Sequence, residues 1–115
     1  MNKLLVIAVL FLSVLTAGNS FASSMTCKTN AIIQKIYVGE VNQGYGADGG
    51  NAVYIQFSGD SRTYPLNYKF NLNDKQGAAI LATLNSAMIM RLPVTILDHH
   101  GNNCDDFDEA QISRD

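Results

Sequence analysis

The sequence predicts a mainly β fold with a single helix, of the α+β class. Three observations carry that prediction. Apolar and polar residues alternate through "AVYIQF" and "TYPLNYKFNL"; β-branched residues crowd "AIIQKIYV"; and only "LNDKQGAAILATLNSAMIM" spaces its apolar residues by threes and fours.

The elements follow in order. Residues 31–38 read as the first strand. A passage with five glycines, 39–51, follows as a long hairpin connection or a surface loop. In 52–57, Val53, Ile55 and Phe57 share one face, and Ser58-Gly59-Asp60-Ser61 makes a turn. In 63–72 the apolar face carries Tyr64, Leu66, Tyr68, Phe70 and Leu72. Pro65 cannot donate a ladder hydrogen bond, so that strand is expected at an edge or with a bulge there. Asn73, with Gln76 three residues on, reads as the helix cap. Ala79, Ile80, Ala82, Thr83, Leu84, Ala87 and Met88 form the helix's apolar stripe, and Pro93 requires it to stop near Met90 or Arg91. Residues 94–97 form a short strand, 98–108 a polar loop and 109–113 a last strand. The order β-β-β-α-β-β, with the helix between the third and fourth strands, is that of a five-stranded OB-like barrel plugged by its helix, with an open antiparallel sheet as the alternative.

The N-terminus predicts the compartment. A short start bearing Lys3, an apolar run over 4–17 and the small residues of Ser20-Phe21-Ala22 are the pattern of a signal peptide over 1–22. The apolar run is shorter than a bilayer span, so no membrane insertion of the mature chain is expected. Residues 23–115 then make one domain of 93 residues, secreted or periplasmic, with net charge −3 once Lys3 is removed. No basic cluster exists, which argues against nucleic acid and anionic membranes as partners. The two cysteines, Cys27 and Cys104, are an even pair in an exported chain and predict one disulfide.

The early Cys27, the strands, the helix "LNDKQGAAILATLNSAMIM", the strand "LPVTIL" and the late Cys104 together resemble the layout of AB5 toxin binding subunits of the cholera and heat-labile enterotoxin kind. In length and layout the chain is also similar to small secreted proteobacterial proteins. The toxin resemblance implies an OB-like fold and a ring-forming homo-oligomer. Cys104 lies later than that pattern places its second cysteine. The chain also lacks the tryptophan on which those subunits stack galactose, so no receptor-binding residue carries over.

Candidate sites are few. "LDHHGNNCDDFDEA" gathers imidazoles and carboxylates, and a metal-dependent hydrolase would draw on His99, His100 and Asp98. Adjacent histidines on an extended chain point to opposite faces, and the spacing matches neither HExxH nor a calcium loop, so a solvated acidic loop is the preferred reading. No cofactor or catalytic residue is expected. "GYGADGG" lacks the lysine and hydroxyl of a phosphate loop, and no serine stands in a nucleophile's context. Among the tyrosines, Tyr45 in the glycine-rich loop and Tyr54, on the face opposite Val53, are the expected exposed contacts. A binding module for a glycan or a partner protein is the expected function; a structural or inhibitory protein is the third reading.

Overall fold

The structure is a computed structural model, and it describes residues 23–39, 51–67, 74–101 and 103–114. The signal-peptide expectation over 1–22 and the contact expected at Tyr45 lie outside the described residues. The strands are β1 (Met25–Ala31), β2 (Ile33–Val38), β3 (Val53–Phe57), β4 (Thr63–Pro65), β5 (Val94–Asp98) and β6 (Glu109–Ile112), with the helix α1 (Lys75–Met90) between β4 and β5. Two antiparallel three-stranded sheets result, ordered β1-β5-β6 and β2-β3-β4. The α+β class is therefore observed, but the described sheets do not close into one barrel, and the strands number six where five were expected.

The extra strand comes from the first one. Expected as a single run over 31–38, it starts at Met25 and breaks at Ile32, so that β1 joins one sheet and β2 the other. β1 was missed because most of its side chains are exposed or half-buried, which leaves no apolar alternation to read. Its pairing with β5 slips between Thr26 and Lys28 and again between Lys28 and Ala31. Asn30, at φ 46°, sits in the second slip; asparagine is among the few residues that tolerate this left-handed backbone.

β2 pairs with β3 from Ile33↔Phe57 to Val38↔Val53, and β3 pairs with β4 through Ile55↔Tyr64. β4 covers Thr63–Pro65, the start of its alternating pattern, and Leu66 N still donates to Val53 O at 2.9 Å beyond it, while the carbonyl of Pro65 accepts from Phe107 N at 3.0 Å. A parallel bridge, Leu66↔Phe107, with Asn67 N donating to Phe107 O at 2.8 Å, ties the chain after β4 to the segment before β6. The rest of the expected third strand, 68–72, lies outside the described residues.

α1 starts one residue later than expected. Asp74, not Asn73, is the cap: its carboxylate accepts from Gly77 N at 2.6 Å. At the other end Arg91 takes the left-handed conformation (φ 53°), and Leu92 N closes onto Ala87 O at 2.9 Å before Pro93 ends any continuation. Leu84 and Ala87 are fully buried, with Ile80 and Leu81 half-buried beside them. Met88, expected on that stripe, is 38% exposed. The helix packs on β2 and β6, and the core it covers holds Ile33, Ile55, Phe57, Val94, Ile96 and Phe107. Phe107 comes from the loop expected to be solvated.

Candidate functional site

Groups able to do chemistry or make contacts gather in the histidine loop, at the β3–β4 turn, among the tyrosines and around the helix end.

The histidine loop is built on Asp98. This residue ends β5 almost fully buried, and its carboxylate accepts from three backbone N–H groups: His100 at 2.8 Å, Cys104 at 3.1 Å and Asn103 at 3.3 Å. A buried carboxylate needs such donors, and here they fold the loop back on itself. Gly101 permits the tight return. It stands at φ 130°, and a Cβ there would come within 3.2 Å of Asn103 Oδ1. The disulfide Cys27–Cys104 then fastens the loop to β1, with Cα atoms 5.5 Å apart, as the cysteine count predicted. The Arg62 side chain donates to the Cys104 carbonyl and stacks over Tyr64, which ties the same point to β4.

Because the backbone bends after Asp98, His99 and His100 are not on an extended chain, and the expectation that they face apart fails. Both reach one carboxylate: His99 Nδ1 lies 2.6 Å from Asp108 Oδ1 and His100 Nδ1 lies 2.5 Å from Asp108 Oδ2. His99 N donates to the same group at 2.9 Å, and His99 Nε2 stands 3.3 Å from Glu109. The set His99, His100 and Asp98 therefore does not converge as metal ligands. Asp98 is turned to the backbone, and among the described residues no three histidine, cysteine or acidic side chains come together to hold an ion.

This cluster titrates in a readable direction. The hydrogen bond that His99 donates to Asp108 raises the His99 pKa above the ordinary 6.5, against the opposing effect of its partial burial. For Asp108, burial pushes upward, but the hydrogen bonds from both imidazoles and from His99 N together hold it below the ordinary 3.8. The linkage signs follow. A raised histidine stabilises the fold fully below its unfolded value near 6.5 and loses that contribution as pH rises through the folded pKa. A lowered aspartate contributes above its unfolded 3.8 and loses its part as pH falls through the folded pKa. Unfolding midpoints should therefore decline as pH is raised from about 6 through neutrality. The Asp108→Asn variant should give a flatter profile over that range, whatever its absolute stability. An unchanged slope in the variant would show that His99 does not report on this carboxylate.

A second polar cluster sits at the β3–β4 turn. Asp60 accepts from Lys28 Nζ at 2.8 Å, from Arg62 N at 2.9 Å and from the Tyr64 hydroxyl at 2.9 Å. The Lys28 bond first, then the other two, lower its pKa to about 2. Asp60 N also donates to Phe57 O at 3.2 Å, so the cluster fixes the turn.

The tyrosines give a correction. Tyr54 was expected to be exposed, and it is only 9% exposed. It stands opposite Tyr37 across the β2–β3 ladder, and the two rings stack with centroids 4.3 Å apart and planes 12° from parallel. Every residue of β3 but Gln56 is buried, so alternation did not identify a wet face.

The exposed apolar surface lies elsewhere. An open cleft of about 340 Å³ runs between the start of β2 and the last turn of α1, lined by Ile32, Ile33, Gln34, Ser58, Met88 and Arg91. Ile32 and Met88 are each 38% exposed, and the helix turn beside them carries Ile89 at 83% and Met90 at 54%. Sequence reasoning missed these residues, although a signal existed. Ala87-Met88-Ile89-Met90 is an unbroken apolar run, and at about 100° per residue a helix cannot turn four successive side chains toward one core.

Among the described residues no helix is long and apolar enough to cross a membrane. Compared with known protein families, curated proteins and solved structures, the chain matches none of them.

Proposed function

We propose that this chain is a secreted, disulfide-stapled binding module that contacts a glycan or a partner protein through the surface at the end of α1. The observation that carries the reading is the exposure of Ile32, Met88, Ile89 and Met90 together beside an open cleft, whereas Met25 and Val38, the other exposed large apolar residues among those described, do not line it. Exposed apolar groups on a small fold cost solubility, and a cluster of them beside a concave site marks a place of contact. The disulfide supports an exported setting, since such bonds persist in oxidising compartments. We read the frame as OB-like. Two features support this: the first strand passes from one sheet to the other at Ile32, and the Leu66↔Phe107 bridge ties the chain after β4 to the segment before β6.

The test is a parallel screen of the exported protein, disulfide intact, against arrayed glycans and arrayed peptides, repeated with Ile89→Lys. Ile89 is almost fully exposed, so the substitution leaves the core alone. The expected result is a ligand held by the wild type and weakened by the variant. Ligands indifferent to Ile89→Lys, or none at all, would overturn the reading.

A further inference from the structure

We infer that the cleft at the end of α1 takes an extended peptide segment in which an apolar side chain stands beside an aspartate or glutamate. This rests on the binding-module reading above and narrows it to one ligand class.

The lining decides the chemistry. Ile32, Ile33 and Met88 give it an apolar side, and among the described residues no aromatic ring lines it, so these residues offer a sugar no stacking partner. Methionine is unbranched and adapts to side chains of different shape, which suits peptide contacts. Gln34 and Ser58 supply an amide and a hydroxyl that can pair with the N–H and C=O groups of an extended chain.

Arg91 supplies the specificity. Among the described residues it is the only charged one in the lining and no carboxylate forms an ion pair with it, whereas Lys28 is paired with Asp60. Its backbone is held at the helix end by Arg91 N donating to Met88 O and by the closing bond of Leu92. The guanidinium therefore projects from a fixed point and offers a planar fork suited to a carboxylate. One cation beside an apolar cleft complements one acidic side chain beside an apolar one. An anionic membrane requires several basic residues together, and this acidic chain has no such cluster.

The experiment selects from a library of short peptides, acetylated and amidated so that no chain-end charge is present, on the exported protein with its disulfide intact. Enriched sequences should place Asp or Glu within a residue or two of a large aliphatic side chain. Binding of a labelled enriched peptide should weaken about tenfold in Arg91→Gln, and less in Arg91→Lys, as expected for loss of a charge-assisted pair. Replacing the peptide's acid by its amide should weaken wild-type binding by a similar factor and hardly affect Arg91→Gln. Unfolding midpoints of the variants close to wild type confirm that the fold is intact. Met88→Ser, which alters the apolar side of the lining and leaves Arg91 in place, should weaken the enriched peptide while keeping the acid-to-amide effect.

Enriched peptides without acids, or an acid-to-amide effect equally large in Arg91→Gln, would overturn the inference. Phosphatidylglycerol vesicles bound through Arg91 and Ile89, with no peptide enriched, would assign the surface to lipid instead. A glycan held independently of Arg91 but lost in Ile89→Lys would remove this inference and leave the binding-module reading standing. Failure of every ligand would remove both.

Discussion

Leu84→Ala should lower the stability of the fold by about 2–5 kcal/mol, the range for truncating a packed leucine and leaving its cavity. Leu84 is fully buried in the cluster formed by both sheets, where it meets side chains that the short helix alone brings over the core. Asn85→Ala, one position round the helix on its exposed side, should change stability by no more than about 0.5 kcal/mol. Its sign should lean to stabilising, since alanine is the better helix former. A domain of this size holds only some 5–8 kcal/mol in total, so the first substitution removes a large part of it. Denaturant melts of the two variants, with the disulfide kept intact, make the comparison. Similar losses at both positions would mean that α1 is not docked through Leu84.

Removing the disulfide should cost about 4 kcal/mol, from the chain entropy restored to the unfolded state by opening a loop of this length. The pair is 77 residues apart in sequence and connects β1 to the loop after β5, so most of the described fold lies inside the closed loop. The folded loop does not depend on the bond alone. Asp98 still holds the N–H groups of His100, Asn103 and Cys104, and Arg62 still reaches the Cys104 carbonyl. The loss should therefore appear mainly as easier global unfolding and less as a disordered native loop. Cys27→Ser combined with Cys104→Ser, compared with wild type in denaturant, measures it. Alkylation of the exported wild-type protein without reductant should add no mass. Two modified thiols, or a double variant as stable as wild type, would refute the prediction.

The candidate site was less legible than the fold. The histidine loop announced itself by composition, but what it does depends on Asp98, and nothing in "LDHHGNNC" distinguishes a buried carboxylate from a solvated one. Tyr54 alternates with Val53 and Ile55, yet both faces of β3 are covered, so period two marked two faces without telling which was wet. Met88 was placed on the apolar stripe because apolar residues were assumed to be inside, a rule that holds in one direction only, and its exposed neighbours Ile89 and Met90 were not singled out.

Local chemistry was enough for several features. The alternation through Val53, Ile55 and Phe57 determined β3 and its core face. Pro93 determined where α1 stops, and the even cysteine count determined the pairing of Cys27 with Cys104. Each of these rests on residues close together or on a count. Tertiary structure decided the rest. The break at Ile32 divides one run of chain between two sheets, and the bonds of Pro65 O and Asn67 N to Phe107 bring a distant loop against the end of β4. Phe107, read as part of a polar loop, became core because the sheets left an apolar space that the nearby strands did not fill. The convergence of His99 and His100 on Asp108 followed from a bend made by buried hydrogen bonds to Asp98. Such outcomes depend on which groups meet across the fold, and a linear pattern carries periodicity and propensity but not partners.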